Sequence, residues 1–289
     1  MFRGTITALI TPFRKDGSID EDALRRLISY QESSGVDAVV PCGSTGESAT
    51  LSCDEHLRVV EIAVDAAKKV KVIAGAGSNS TSEAISLSRR AERAGADGIL
   101  SISPYYNKPT QEGIFRHYEA IASSIKIPLI LYNVPGRTAS NITSETTLRL
   151  SKVSGIEGIK EASGDLDQVQ RILDGRPKGF SVLSGDDLLT HRIMCMGGDG
   201  VISVASNCAP AKMASLVSMC ASGDHAGALK VHNDMLQLFG ALFVETNPIP
   251  IKYAMAKLGY GSGALRLPLT ELTVKNRAAV DAALKKIGL

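Results

Sequence analysis

The stretch Gly155-Ile156-Glu157-Gly158-Ile159-Lys160-Glu161-Ala162 repeats a pattern that occurs three more times, at 35–40, 95–100 and 197–202. Each copy has a glycine, an acid two residues later, a small residue and then aliphatic residues. The glycine suits the left-handed position that closes a helix. The aliphatic run is typical of a strand buried on both faces in a parallel sheet. The repeat therefore predicts helices that alternate with parallel strands.

One residue breaks the repeat. The sixth position holds Val40, Leu100 and Ile202 in three copies, and Lys160 in the fourth. A buried ammonium is costly unless its pKa falls or it has a chemical task. A lysine at a strand end whose head group reaches water would need no such task. The register leaves both explanations open, and Lys160 is the first candidate functional residue.

Length and composition exclude several classes of protein. With 289 residues, the chain can form a full α/β barrel or two smaller domains. Its 44% hydrophobic and 21% charged residues and its net charge of +2 are ordinary for a soluble globular protein. The sequence contains no basic run with interleaved aromatic residues, so we expect no nucleic-acid partner. No apolar run approaches about 20 residues, so we expect no membrane-spanning helix, and the first residues lack signal-peptide features.

Neither the cysteines nor the histidines are spaced as a metal or disulfide site requires. The five cysteines are scattered and lack a C-x-x-C pair, and the five histidines lack a ligand motif. This usage is typical of reduced thiols in a cytoplasmic protein. We expect a cytoplasmic location, no disulfide, no metal and no cofactor. The cysteines are Cys42, Cys53, Cys195, Cys208 and Cys220.

Hydrophobic periodicity predicts eight strands that begin near residues 4, 36, 71, 97, 128, 156, 180 and 199, with helices between them. We expect the first strand to span 5–11 and one of the helices to span 186–196. This order favours an α/β fold, a (β/α)8 TIM barrel. A doubly wound sheet is the alternative, but it usually places a glycine-rich crevice after the first strand, and none is present there.

Only helices are predicted after the eighth strand, over 211–221, 226–242, 251–258 and 272–287. The first of them closes the barrel, and the others exceed what eight βα units need. We therefore divide the chain into a barrel, residues 1–223, and a C-terminal helical domain, residues 224–289.

Active sites of such barrels lie at the C-terminal ends of the strands. After strand two, the turn at 43–48 offers backbone N–H groups and hydroxyls that suit a carboxylate or phosphate, although such a segment is often only a turn. Strands four and five are followed by tyrosines, which rim packing alone could explain. Arg137 could bind a carboxylate with its planar guanidinium. The segment Ser184-Gly185-Asp186-Asp187 after strand seven is explained by helix capping.

Taken together, the strand ends combine Lys160 and Arg137 with hydroxyl groups and without a cofactor motif. A lysine beside hydroxyl proton carriers suits covalent catalysis through a Schiff base on a carbonyl substrate. Such a lysine must be partly unprotonated near neutral pH, which a desolvated site favours. The hydroxyls belong to Ser44, Thr45, Tyr106 and Tyr132.

Four motifs resemble the 4-hydroxy-tetrahydrodipicolinate synthase family, formerly called dihydrodipicolinate synthase. The resemblance runs from Phe2 to Leu289. The first and last motifs belong to the wider pyruvate-dependent class I aldolase and lyase superfamily, whereas the third is more specific to the synthases. The motifs are Gly43-Ser44-Thr45-Gly46-Glu47, Tyr105-Tyr106-Asn107-Lys108-Pro109, Leu131-Tyr132-Asn133-Val134-Pro135-Gly136-Arg137-Thr138 and Gly158-Ile159-Lys160-Glu161-Ala162.

The resemblance implies condensation of pyruvate with L-aspartate 4-semialdehyde on the diaminopimelate route to lysine. In that family's pattern, Lys160 would form the imine and then the enamine, and Tyr132 would donate and accept protons. Ser44 and Tyr106 would complete the proton relay, with Tyr106 reaching in from a neighbouring subunit. The resemblance also implies a homotetramer built from tight dimers, and no cofactor.

The same resemblance assigns substrate contacts. Thr45 and the backbone of Ile202 would hold pyruvate, and Arg137 would bind the carboxylate of the semialdehyde. Ser44 stands where the family more commonly has threonine; it keeps the hydroxyl, so we expect the chemistry to survive.

A regulatory site for feedback by lysine is also implied. Cys53, however, stands where lysine-sensitive bacterial members often carry histidine, which weakens the expectation of inhibition. The residues on which the site falls are Ser48, Ala49, His56, Asn79, Glu83 and Tyr105.

Two kinds of alternative function are compatible with the same residues. N-acetylneuraminate lyase and 2-keto-3-deoxy sugar acid aldolases use the same lysine and tyrosine, but Arg137 favours a small carboxylated second substrate over a polyol chain. A catalytically silent barrel that senses a small molecule is the alternative of another class, and the intact hydroxyls disfavour it.

Overall fold

Eight parallel strands close into one barrel in the computed structural model, which describes residues 2–289. Each strand pairs with the next in sequence, and the eighth pairs with the first through the register Ile6↔Ile202. This confirms the predicted (β/α)8 architecture. The strands are β1 Gly4–Ala8, β2 Ala38–Val40, β3 Lys71–Gly75, β4 Gly98–Ile102, β5 Leu129–Asn133, β6 Ile156–Glu161, β7 Ser181–Ser184 and β8 Gly200–Ser203.

Helices surround the barrel and continue beyond it, as predicted. The helix His225–Ala241 packs against Thr190–Cys195, Pro210–Ala221 and Val274–Lys286, so the C-terminal helices lie directly on the barrel's outer helices. The helices are α1 Glu21–Ser33, α2 Cys53–Ala66, α3 Thr81–Arg93, α4 Gln111–Ala122, α5 Pro135–Thr138, α6 Ser144–Leu150, α7 Leu166–Gly175, α8 Thr190–Cys195, α9 Pro210–Ala221, α10 His225–Ala241, α11 Ile249–Lys257 and α12 Val274–Lys286.

The glycines of the fourfold repeat have the predicted left-handed backbone, with φ between 82° and 103°. The acids of the repeat have a function that the sequence analysis did not assign. In three copies, the carboxylate accepts a hydrogen bond from a backbone N–H of the preceding strand, at the N-terminal rim of the barrel. These bonds run from Thr5 N to Asp37, from Val72 N to Asp97 and from Val182 N to Asp199, each at 2.8 Å.

Apolar side chains form two separate cores. One fills the space between the strands and the outer helices, and the other fills the interior of the barrel. Because successive side chains of a strand point to opposite faces, the outward-facing and inward-facing apolar residues of a strand belong to different cores. The buried members of the interior core are Phe2, Ile6, Ala8, Ala38, Val40, Ile73, Leu100, Ile130, Tyr132, Val134, Leu183 and Ile202.

Two of the predicted boundaries are wrong. Strand β1 ends at Ala8 rather than at residue 11, because Ile10 N donates to the side chain of Asn207 at 3.1 Å and leaves the ladder. The helix expected over 186–196 is a 3₁₀ turn, Asp187–Leu189, followed by α8. Asp187 is buried there, and its carboxylate accepts backbone N–H groups at the end of β8. These hydrogen bonds hold Asp187 in place and account for the interruption of the helix predicted over 186–196.

No helix within residues 2–289 is long and apolar enough to cross a membrane. All five cysteines are free thiols, as expected.

Candidate active site

Lys160 lies at the C-terminal end of β6 and is only 6% exposed. Its neighbour across the sheet is Tyr132 of β5, which is 8% exposed. The Nζ atom of Lys160 lies 4.2 Å from the centre of the tyrosine ring. Of the two explanations left open by the sequence, a lysine extended into water is therefore wrong. The side chain is buried beside a phenol at the C-terminal end of the barrel strands.

The absence of a side chain at Gly185, directly after β7, makes room for this lysine. A Cβ atom at position 185 would lie 3.1 Å from both Cγ and Cε of Lys160, and 2.6 Å from Cβ of Ala162. The sequence pattern of this segment predicted only helix capping. Capping is confirmed for Asp186, which accepts from Leu188 N at 2.8 Å, but the packing role of the glycine was missed.

A buried carboxylate anchors the strand end that carries the lysine. Glu161 is 2% exposed, and its oxygens accept hydrogen bonds from Asn133 Nδ2 at 3.0 Å, Gln168 Nε2 at 3.0 Å and Ser163 N at 2.7 Å. These donors belong to β5, to α7 and to the turn between β6 and α7. Because a buried carboxylate is tolerated only when its oxygens are bonded, the network fixes the end of β6 firmly. The sequence analysis did not identify it.

A cavity of about 160 Å³ opens at the lysine. Its walls include five of the seven predicted catalytic and substrate-binding residues: Ser44, Thr45, Tyr132, Arg137 and Lys160. These residues come from three different strand ends, as expected for a barrel of this type.

Asn247, which precedes α11, joins two of these residues. Its Nδ2 donates to the hydroxyl of Thr45 at 2.9 Å, and its carbonyl oxygen accepts from Nη2 of Arg137 at 3.0 Å. Asn247 is 5% exposed and lines the cavity. Because it lies 202 residues from Thr45 in sequence, no local pattern could have predicted this contact.

The other two predicted residues lie outside the cavity walls. Ile202 is fully buried in the interior core of the barrel. Tyr106 is 87% exposed and has a left-handed backbone with φ of 73°. Within a single chain, the structure therefore does not bring the Tyr106 phenol to the lysine.

A larger cavity of about 470 Å³ adjoins the first and shares Ser44, Tyr132, Arg137 and Asn247 with it. Asn79 lies beside this cavity and donates to the carbonyl of Tyr105 at 3.1 Å. The other five predicted regulatory residues line it: Ser48, Ala49, His56, Glu83 and Tyr105. The structure thus groups all six, with Cys53 also in the wall.

His56 contributes no charge to the larger cavity at neutral pH. Its side chain is 6% exposed, and burial lowers its pKa, a shift that the hydrogen bond to the Gly75 carbonyl opposes. The Nε2 atom lies 2.6 Å from that carbonyl oxygen. The neutral ring therefore donates its Nε2 proton there.

The smaller cavity combines a buried primary amine, an adjacent phenol, two aliphatic hydroxyls and a guanidinium at the mouth. An amine of this kind can attack a carbonyl carbon, and the phenol can move the protons that imine formation requires. The guanidinium suits a carboxylate on the reacting molecule.

Comparisons with known proteins agree with this geometry. The chain matches the family model described as Dihydrodipicolinate synthetase family over residues 1–287. A 4-hydroxy-tetrahydrodipicolinate synthase of Syntrophus aciditrophicus is 53% identical over 290 residues, which cover 100% of this chain and 99% of the relative.

Two solved structures are closely similar in fold. A chloride-inhibited dihydrodipicolinate synthase from Acinetobacter baumannii, complexed with pyruvate, is 41% identical with a TM-score of 0.98, and the match covers 100% of this chain and 99% of the other. A monomeric dihydrodipicolinate synthase variant is 42% identical with a TM-score of 0.98, and the match covers 100% and 97%.

Proposed function

The chain belongs to the dihydrodipicolinate synthetase family, and we propose that it condenses pyruvate with L-aspartate 4-semialdehyde, the 4-hydroxy-tetrahydrodipicolinate synthase reaction on the diaminopimelate route to lysine. The observation that carries the proposal is the burial of Lys160 against Tyr132 at the C-terminal end of the barrel. A lyase of this kind needs no cofactor, because the lysine itself forms the covalent intermediate.

In the proposed mechanism, Nζ of Lys160 attacks the keto carbon of pyruvate to give a carbinolamine, which loses water to become the imine. Loss of a methyl proton then gives the enamine, whose carbon attacks the aldehyde carbon of the second substrate, and the aldehyde oxygen takes a proton to become a hydroxyl. The amino group of the second substrate then attacks the regenerated imine carbon, which closes the ring and releases the Lys160 amine. Tyr132 donates and accepts the protons of these steps, supported by its position against the amine. The hydroxyl of Ser44 lies in the same cavity wall and extends the relay.

Substrate binding is assigned to the other side chains of the cavity. Thr45 holds the pyruvate carboxylate together with the backbone at Ile202, and Arg137 holds the carboxylate of the semialdehyde. The guanidinium of Arg137 has five N–H donors, of which Nη2 is bonded to the Asn247 carbonyl. It is therefore anchored while it offers a fork to the second substrate.

We propose further that the enzyme assembles as a homotetramer built from tight dimers, with Tyr106 of a second copy completing the relay. The support is the 87% exposure of Tyr106 next to the partly exposed Tyr105, since exposed aromatic side chains are typical of interfaces. A similar synthase variant is monomeric, so the assembly state needs its own measurement. Sedimentation equilibrium should give a tetramer, and a fully active monomer would contradict the role of Tyr106.

The larger cavity is proposed as the regulatory site for lysine, because the six residues assigned to it lie in or beside one cavity. Cytoplasmic location is proposed from the free thiols. A titration of the enzyme with lysine decides whether Cys53 in the wall is compatible with inhibition.

The covalent step is tested by incubating the enzyme with pyruvate, reducing with borohydride and mapping the modified residue by mass spectrometry. We expect the adduct on Lys160. Lys252 is the matched internal control, because it is also buried but is paired with Glu47. An adduct on Lys252 instead of Lys160 would overturn the mechanism. The absence of any adduct would overturn it too and would favour the catalytically silent sensor.

The second substrate is tested by a coupled assay with L-aspartate 4-semialdehyde, run beside cleavage assays for N-acetylneuraminate and 2-keto-3-deoxy sugar acids. Turnover of the semialdehyde alone supports the proposal. Faster turnover of either sugar acid would reassign the enzyme to the corresponding aldolase.

A further inference from the structure

Glu47 and Lys252 form an ion pair whose side chains are each only 1% exposed. Lys252 belongs to α11, and 205 residues separate it from Glu47 in sequence. The pair is unusual because removing two charges from water costs several kcal/mol per ion, on the order of what the attraction returns. Well-packed apolar residues would serve stability equally well, so stability alone does not explain it.

On one side, the pair is connected to the turn that carries the proposed active-site hydroxyls. Glu47 ends the segment Gly43-Ser44-Thr45-Gly46-Glu47 and has a left-handed backbone with φ of 53°. Its N–H donates to the carbonyl of Ser44 at 3.2 Å. A displacement of Glu47 would therefore also move the backbone of Ser44 and Thr45.

On the other side, the pair is connected to the C-terminal part of the chain. The second carboxylate oxygen of Glu47 accepts from Arg266 N at 3.0 Å. The ring of Phe13 packs against both cations, 3.9 Å from Nζ of Lys252 and 4.4 Å from Cζ of Arg266. The Arg266 guanidinium also donates to the carbonyl of Gly17 at 2.8 Å.

The same C-terminal segment reaches the turn at a second point. Asn247, five residues before Lys252, donates to the hydroxyl of Thr45. The turn is therefore held at Thr45 by an amide and at Glu47 by a buried charge, both from around the start of α11. Two separate attachments define the orientation of a short turn, whereas one would leave it free to pivot.

We propose that Glu47 and Lys252 are positioning residues, whose ion pair orients the turn so that the hydroxyls of Ser44 and Thr45 face the lysine cavity. Neither residue takes part in bond making. The inference rests on the proposed function, because its test measures kcat/KM for pyruvate. It concerns how the C-terminal part of the chain orients the turn.

The pair also gives the positioning a pH dependence. Burial lowers the pKa of Lys252 from its ordinary 10.5 to about 8, Glu47 raises it, and Arg266 lowers it. These are the two charged groups that face it. Above about pH 8 the ammonium loses its proton and the ion pair is lost, so kcat/KM should fall. An unfolded lysine still binds its proton up to about pH 10.5, so this group does not reduce stability over the same range.

The test replaces both members at once, E47Q with K252M, because K252M alone would leave a buried carboxylate without a partner. We expect a folded enzyme whose kcat/KM for pyruvate falls on the order of tenfold to a hundredfold, since small misplacements of reacting groups have effects of this size. The alkaline fall near pH 8 should disappear in the double variant.

Lys257→Met is the matched control. Lys257 lies in the same helix and pairs with Asp281 at 3.5 Å, but this pair is about half exposed. Lys257→Met should change neither kcat/KM nor its pH profile.

Three outcomes would overturn the inference: wild-type kinetics in the double variant, an unaltered alkaline limb, or loss of folding in the double variant, which would make the pair structural. Failure of the proposed function is distinguishable, because the wild-type enzyme would then form no pyruvate adduct at Lys160.

Discussion

At the scale of single residues, the position of the Lys160 side chain depends on a side chain that is absent at its neighbour. The barrel interior is filled by aliphatic and aromatic side chains, and a lysine fits at its end only because Gly185 leaves space beside its Cγ and Cε atoms. The fourfold repeat singled out Lys160 but left open whether its amine is buried or reaches water. It could not indicate Gly185, because the contact exists only once β6 and β7 are adjacent.

We predict that Gly185→Ala slows imine formation by at least tenfold and destabilises the fold by about 1–3 kcal/mol, as overpacking does. The added Cβ would lie 2.6 Å from Ala162 and 3.1 Å from Lys160, so the lysine must move. The measurement is the rate of the borohydride-trapped pyruvate adduct.

Gly240→Ala is the control for this substitution, because Gly240 lies in α10 and a Cβ there meets nothing within 4 Å. An adduct rate for Gly185→Ala equal to that of the control would show that the space beside the lysine is not needed.

At the scale of elements, the acids of the repeat join neighbouring strands at the end of the barrel opposite the active site. Asp199 both accepts from Val182 N and donates its own N–H to the Val182 carbonyl, so the two strands exchange two hydrogen bonds. Its side chain is 15% exposed and also pairs with Arg176. The carboxylates at this rim bond neighbouring strands to each other, whereas active sites of such barrels lie at the other rim.

We predict that Asp199→Ala lowers the free energy of unfolding by about 1–3 kcal/mol, because it leaves a partly buried N–H without its acceptor. Asp97→Ala should lower the free energy of unfolding by a smaller amount, since Asp97 is exposed and water can replace its carboxylate. Denaturant unfolding measures both, and kcat should be unchanged in both. A loss of kcat without a loss of stability would contradict this separation of the two rims.

At the scale of the whole molecule, the C-terminal part of the chain helps to build the candidate active site. Residues 245–266 supply Asn247 to Thr45, Lys252 to Glu47 and Arg266 to Glu55. We propose that residues 224–289 form the C-terminal helical domain expected from the sequence, but that this domain cannot be removed. Its helix α10 packs against α8, α9 and α12, and Met235, Leu238 and Phe239 of α10 are buried.

We predict that a chain truncated after residue 223 does not fold cooperatively. The truncation exposes the apolar surface that α10 covers, and the net stability of a domain, about 5–15 kcal/mol, is too small to absorb that loss. Circular dichroism melts compare it with a chain that lacks only residues 287–289, which should melt as a cooperative unit. A truncated barrel that melts cooperatively and still forms the pyruvate adduct would contradict the prediction.

The sequence by itself determined the elements and their order. Left-handed glycines at helix ends and buried aliphatic runs are local features, and eight such units leave few arrangements other than a closed barrel. The register of the repeat made Lys160 a candidate without deciding whether its amine is buried, and the family resemblance predicted roles for Thr45, Tyr132 and Arg137.

The tertiary structure alone decided which distant groups meet. Gly185 beside Lys160, Glu161 with its amide partners, Asn247 on Thr45 and Lys252 on Glu47 depend on strand neighbours or on residues about 200 positions apart. The same holds for the early end of β1, where the Asn207 side chain accepts from Ile10 N, and for the break before α8, where the Asp187 carboxylate accepts from Val204 N. Periodicity reports which face of an element is buried, but only packing decides what lies against that face.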